Sequence, residues 1–121
     1  TIPPATSDEV FVRRIYLDIV GRIPTAEEAS TFIADTSAQK REKLINQLLA
    51  SEGYVHHFFH FWADVLRLQA NLSNFANRGG RIDTACYAMY IRDALRKNVP
   101  YDRLVKALLS AQGHVWDNGA V

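Results

Sequence analysis

The sequence predicts an all-α fold, an irregular bundle of about six helices without a sheet. Every periodic segment of the 121-residue chain places its apolar residues at helical i, i+3, i+4 spacing. No segment of useful length alternates apolar and polar residues as a half-buried strand does. With 48% hydrophobic and 22% charged residues, the chain has the composition of a folded globular protein rather than a disordered one.

Two pairs of residues at capping-box spacing precede the first two apolar stripes. The pair Thr6 and Glu9 predicts a helix over residues 7–20, which Gly21 ends. The same spacing recurs in the segment Thr25–Glu28 and predicts a second helix over residues 26–34.

The next two helices are predicted from their apolar faces. Ser37 can cap a helix over residues 38–50, in which leucine and isoleucine residues share one face and charged residues mostly occupy the other. The pattern resumes over about residues 52–69, and we expect this fourth helix to be the central one, with Trp62 as a central packing residue. Residues 71–81 lack periodicity and contain adjacent glycines, which predicts a loop.

The last two helices meet at a proline. Asp83 can cap the fifth helix, which Asn98 ends, and Pro100 suits the first turn of a sixth helix that runs to Gly113. The tail that follows contains Trp116, a large aromatic residue that we expect to pack against further native chain. We therefore interpret the 121 residues as a single helical domain, or a fragment of one, within a larger multidomain protein.

Charge is distributed unevenly along the chain. The formal net charge is +1, but residues 1–66 carry a net −3 and residues 67–121 a net +4. The second half could therefore meet an anionic partner, yet nucleic-acid binders are usually far more basic, so we expect no nucleic-acid binding. No apolar run approaches the roughly 18 residues of a membrane helix, and we do not expect the chain to span a membrane.

The single cysteine limits the cofactor chemistry of the chain. Cys86 cannot form an internal disulfide, and no Cys-x-x-Cys-His motif is present, so haem cannot be attached covalently through that motif. We expect no cofactor in this chain. The apolar neighbours of Cys86 favour a small buried residue over a reactive thiol.

Two histidines one helical turn apart are candidate metal ligands. His56 and His60 would place their imidazoles on one face of the fourth helix, a spacing that can hold a transition metal. The alternative, which we favour, is a solvated polar strip, because two ligands are a weak signal for a metal site. Asp64 and Arg67 extend the same strip as candidate binding residues, with a structural ion pair as their alternative role.

Two further groups of residues contain arginines at suggestive spacing. One group contains Arg14, Asp18 and Arg22, which follow one another at i, i+4 steps, so that Asp18 could pair with either arginine. We predict a structural clamp that fixes the turn before Pro24, rather than a catalytic carboxylate. Arg78 and Arg81 flank two glycines and could present guanidinium groups to an anion, with a solvated loop as the alternative. No set of catalytic residues can be identified from the sequence.

Several blocks of the sequence resemble one family. Residues 8–35 read DEVFVRRIYLDIVGRIPTAEEASTFIAD and resemble the opening signature of the planctomycete cytochrome C-associated domain of unknown function. Lys40-Arg41 with the following LINQLLAS, WADVLR at 62–67 and NVPYDRLVKALLSAQG at 98–113 resemble later signatures in the same order. Phe61 stands where members of this family often have a histidine.

The resemblance carries expectations about context. Members of that family usually form the middle of long exported proteins, often downstream of a haem c domain. The resemblance therefore implies a bacterial, extracytoplasmic module, with haem c possible on another domain of the full-length protein. It implies no reaction.

Our leading hypothesis is a non-catalytic helical interaction or scaffolding module that docks on neighbouring domains of the same protein or on a protein partner. One alternative is part of a haem-linked redox or other enzyme assembly, in which the histidine strip and the Asp64/Arg67 pair act once other domains are attached. A second alternative is an anion- or polysaccharide-binding module that uses the basic second half of the chain and the predicted loop at residues 71–81, which is rich in asparagine.

Overall fold

A computed structural model of the chain describes residues 6–68, 84–114 and 117–121, and these residues form helices and no strand. The predicted all-α class is therefore confirmed for the described part of the chain. The helices are α1 (Asp8–Val20), α2 (Ala26–Ala34), α3 (Lys40–Leu49), α4 (Glu52–Val65), α5 (Thr84–Arg96) and α6 (Tyr101–Ser110). The predicted loop at 71–81 and Trp116 lie outside the described residues.

The chain divides into two compact units, residues 1–57 and 58–121. In the first unit, α1 is the element on which both α2 and α3 pack. Its apolar core contains Val12, Tyr16, Ile19, Phe32, Leu44 and Leu48. Half of these residues come from α1, which explains why the other two helices share it as their support.

Capping contacts define the helix starts in the first unit. The predicted capping box of α2 is present, because the Glu28 N–H donates to the Thr25 hydroxyl at 3.2 Å and the Thr25 N–H donates to the Glu28 carboxylate at 2.7 Å. The capping box predicted for α1 from Thr6 is wrong, because Ser7 is the N-cap residue and makes no side-chain capping bond. Gln39, rather than Ser37, is the N-cap residue of α3.

The second unit has its own core, formed by Phe59, Ile91, Ala94 and Leu104. Ile91 is its most buried member, with 0% of its surface exposed. Trp62, which we expected at the centre, is half-buried and packs against this core from its border. The centre of the second core is therefore on α5 and α6 as well as on α4.

The end of the chain packs on α5. A Cβ added to Gly119 would lie 2.7 Å from the carbonyl oxygen of Cys86 and 3.1 Å from the Cβ of Tyr90, so only glycine fits this close approach. Ala120 is buried beside it. Cys86 itself is half-buried rather than fully enclosed.

Helix α4 ends at Val65, four residues before the predicted end. The Leu68 N–H donates to the Ala63 carbonyl oxygen at 2.8 Å and the Arg67 N–H donates to the Asp64 carbonyl oxygen at 3.2 Å, which together form a Schellman turn. Arg67 occupies the left-handed position of this turn with φ 53°. The turn satisfies the last carbonyl groups and stops the helix although the apolar pattern continues.

Candidate functional site

The two candidate metal ligands lie on the exposed surface of α4. His56 and His60 are both exposed, and the His60 ring contacts the edge of Phe59 with 6.0 Å between ring centroids. The described part of the chain contains no group of three or more His, Cys, Asp or Glu side chains that could hold a metal ion. Any metal bound by these two histidines would need its remaining ligands from solvent or from elsewhere.

His57, between the two candidates, has a packing contact instead. Its ring lies against Gly21, which has φ +72° and ends α1. A Cβ at Gly21 would overlap the His57 ring, so glycine is required there by both its backbone conformation and the lack of space. This contact holds the beginning of α4 against the end of α1 within the first unit.

Asp64 and Arg67 are brought together through the backbone rather than through their side chains. Both residues are exposed. The Arg67 N–H donates to the Asp64 carbonyl oxygen in the turn that ends α4, and no side-chain ion pair joins the two. Arg78 and Arg81, the candidate anion-binding residues, lie outside the described residues.

Arg22 pairs with a different acid from the one we expected. Its guanidinium donates two hydrogen bonds to the Glu28 carboxylate, at 2.7 and 2.8 Å, and lies 5.1 Å from the ring centroid of Tyr16. Asp18 is exposed on α1 and is not bonded to Arg22, because the helix ends at Val20 and the i, i+4 relation no longer applies beyond it. Arg14 is likewise exposed.

The Arg22–Glu28 pair fixes the turn that joins α1 to α2. The hydrogen bonds from Arg22, followed by those from Thr25, lower the pKa of Glu28 to about 2. This pair of Arg22 and Glu28 takes the place of the predicted clamp of Arg14, Asp18 and Arg22. The capping-box spacing of Glu28 was the sequence signal for this residue.

A second set of charged contacts joins α3 to the start of α1. The Asp8 carboxylate accepts hydrogen bonds from Lys40 Nζ at 2.7 Å and from Arg41 Nη2 at 2.7 Å. These bonds lower the pKa of Asp8. Lys40 also donates to the Asp35 carbonyl oxygen at 2.8 Å, and the Arg41 guanidinium lies 4.7 Å from the centroid of the Phe11 ring. The role of Lys40 and Arg41 is therefore to hold three helices together.

The second unit presents aromatic rings at its surface. Trp62 on α4 stacks on Tyr101 of α6, with 5.9 Å between ring centroids and 27° between ring planes. Phe61 meets the edge of Trp62 at 5.6 Å and 78°. Phe61 is 58% exposed and Tyr101 is 67% exposed. We call Phe61, Trp62 and Tyr101 the aromatic surface.

The sequence predicted Trp62 as a packing residue and did not single out Phe61 or Tyr101 as part of a site. Periodicity places Phe61 in a second apolar strip on α4, apart from the main stripe that contains Trp62. A second strip on a helix can be buried or exposed, and sequence periodicity does not distinguish the two cases. The second apolar strip on α4 was nevertheless the feature of the sequence that could have indicated an exposed surface for a partner.

Comparisons with known proteins place the chain in a family. The sequence profile of the family described as "PSCyt2: Protein of unknown function (DUF1549)" matches residues 1–118. No curated protein and no solved structure matches the chain. Among the described residues, no helix has the length and apolar character to cross a membrane.

Proposed function

The chain belongs to the PSCyt2 family of proteins of unknown function, and we propose that it is a non-catalytic helical interaction module of a larger, exported bacterial protein. In this proposal the partner is a neighbouring domain of the same protein or another protein outside the cytoplasm. Haem c, where the full-length protein contains it, is on another domain. The observation that supports the proposal best is the aromatic surface.

Exposed rings of this size favour association. Phe61 and Tyr101 keep 58% and 67% of their surface exposed, and both rings contact Trp62. An aromatic side chain buries roughly 150–250 Å² when fully covered. Covering the exposed part of each ring would thus contribute about 2–4 kcal/mol before the costs of association are subtracted.

The aromatic surface is also held in a defined conformation. Trp62 packs on the core of the second unit and supports both neighbouring rings by direct contact. Tyr101 is the first residue of α6, immediately after Pro100, which restricts the backbone there. Rings that are ordered before binding lose little conformational entropy on binding, as aromatic anchors at protein interfaces do.

Site-specific crosslinking in the full-length protein tests the proposal. The photoreactive amino acid p-benzoylphenylalanine would replace Phe61 in one variant and Lys97, an exposed polar position of the same unit, in a control variant. We expect irradiation to join position 61, but not position 97, to another domain or protein, which mass spectrometry identifies. Equal yields at the two positions, or none at position 61, would contradict the proposal.

A second measurement separates binding from folding. The double substitution Phe61→Ala and Tyr101→Ala should weaken association with the crosslinked partner at least about tenfold, since two anchors are removed. The far-UV circular dichroism melting curve should change little, because both side chains are mostly exposed. A crosslink to carbohydrate instead of protein would replace our proposal with the polysaccharide-binding alternative.

A further inference from the structure

The first unit contains a groove between α2 and α3. Both helices pack on α1 more extensively than on each other, so a trough of about 490 Å³ remains between them. Its floor is formed by the buried side chains of Tyr16, Phe32 and Leu44. The groove shares no residue with the aromatic surface.

The two walls of the groove carry opposite charges. The α2 wall contains the carboxylates of Glu27, Glu28 and Asp35, and the α3 wall contains the ammonium groups of Lys40 and Lys43. Glu28 and Lys40 are already paired, with Arg22 and Asp8. Asp35 accepts a hydrogen bond from the Ser37 backbone N–H, and this bond, followed by the charges of Lys43 and Lys40, lowers the pKa of Asp35.

One exposed charge on each wall remains available. Glu27 and Lys43 are exposed, and neither is in an ion pair within the part of the chain that the structure describes. An acid thus lines one wall and a base lines the other, with an apolar floor between the walls. A ligand that complements this arrangement carries a positive group towards α2 and a negative group towards α3.

The dimensions of the groove fit a short stretch of extended chain. From residue 27 to residue 35 the α2 wall runs for about 12 Å at 1.5 Å per residue. Three to four residues of extended chain cover that length at about 3.3 Å each. Successive side chains of an extended chain point to opposite sides, so adjacent residues would face opposite walls.

We propose that the groove between α2 and α3 binds an extended peptide segment in which a basic and an acidic residue are adjacent. The basic side chain contacts Glu27, the acidic side chain contacts Lys43, and the peptide backbone runs over the apolar floor. Polyanions such as nucleic acids or acidic glycans are disfavoured, because the three carboxylates of the α2 wall repel them.

Titration of the isotope-labelled chain with blocked tetrapeptides tests this proposal. The probes are acetyl-Ala-Lys-Glu-Ala-amide and acetyl-Ala-Glu-Lys-Ala-amide, because either chain direction is open to the peptide, and acetyl-Ala-Gln-Gln-Ala-amide is the uncharged control. We expect at least one charged probe to shift the amide resonances around Thr31 and Lys43 saturably, with a dissociation constant in the millimolar range. The uncharged probe should bind more weakly.

Charge-reversal variants provide the decisive comparison. Glu27→Lys and Lys43→Glu should each weaken binding at least about two- to fivefold, as expected for exposed ion pairs. The double variant Glu27→Lys/Lys43→Glu exchanges the available charges of the two walls and should restore binding to within about twofold of the original. Arg13→Gln, at an exposed position of α1 outside the groove, should leave binding unchanged.

Two results would overturn the proposal. One is the absence of any saturable shift up to the solubility limit of both charged peptides. The other is binding that neither single reversal weakens, since the peptide would then lie elsewhere. Melting curves of each variant distinguish lost binding from lost folding. Substitutions at Phe61 and Tyr101 should not affect peptide binding, so this proposal and that for the aromatic surface can fail separately.

Discussion

The turn that ends α4 predicts that a single substitution will stabilise the chain. Arg67 occupies the left-handed position of a Schellman turn with φ 53°, a position in which glycine is the preferred residue. A side chain with a Cβ is strained there because the Cβ approaches the following carbonyl oxygen. Arg67→Gly removes the Cβ and leaves both backbone hydrogen bonds of the turn in place.

The size of the effect follows from two opposing terms. The left-handed conformation costs a residue with a Cβ about 1–2 kcal/mol. Replacing arginine by glycine removes this cost, but about 0.5–1 kcal/mol of the stabilisation is lost because glycine has more conformational freedom in the unfolded chain. We therefore expect Arg67→Gly to raise the free energy of unfolding by about 0.5–1 kcal/mol and the melting temperature by about 2–4 °C.

Arg67→Ala is the matched control. It removes the guanidinium group but keeps the Cβ, so it should remain less stable than Arg67→Gly by about 0.5–1 kcal/mol. Thermal and urea unfolding followed by far-UV circular dichroism measure both variants. If alanine stabilised the chain as much as glycine does, the gain would come from loss of charge, and the reasoning from backbone strain would be refuted.

Three further predictions concern the core, the clamp and the histidines. Ile91→Ala should lower the free energy of unfolding, measured in urea, by about 3–4 kcal/mol, because Ile91 is 0% exposed. The control Leu109→Ala removes as many carbon atoms from a side chain that is 84% exposed, and it should lower the free energy of unfolding by less than about 0.5 kcal/mol. Glu28→Gln should lower the free energy of unfolding above pH 4.5. The difference in unfolding free energy between this variant and the original chain should shrink as the pH falls from 4.5 towards about 2, because the pKa of Glu28 is lowered from 4.5 to about 2 on folding. A difference that stays constant in pH-dependent unfolding would contradict that linkage. In zinc titration calorimetry, the original chain and the double variant His56→Ala/His60→Ala should bind zinc equally. A zinc site found in the original chain and lost in the double variant would support the metal-site hypothesis.

Local sequence patterns predicted the helices because helical periodicity and capping are local properties. The segment Thr25–Glu28 forms the capping box that its spacing indicated. The i, i+4 spacing of Asp18 and Arg22 was misleading, since that relation requires an uninterrupted helix and α1 ends between them. Once Gly21 turns the chain, Arg22 faces α2 and meets Glu28.

Contacts between helices distant in sequence could not be predicted in the same way. Periodicity assigned Lys40 and Arg41 to the polar face of α3, which is correct as far as a single helix is concerned. Their partner, Asp8, is more than thirty residues earlier in the sequence. Only the packing of α3 on α1 shows that this polar face is used to join helices rather than to contact solvent.

The residues that carry the family resemblance and the residue that departs from it have different roles. In the first unit, Asp8 and Glu28 lie in the block that resembles the family opening, and each accepts hydrogen bonds that hold helices together. Phe61, which stands where the resemblance places a histidine, is an exposed ring of the aromatic surface. A histidine there would offer a smaller apolar area and a titratable nitrogen in place of a hydrophobic ring. The contacts that hold the first unit together therefore lie within the block that carries the resemblance, whereas the proposed partner surface includes Phe61, where the sequence departs from it.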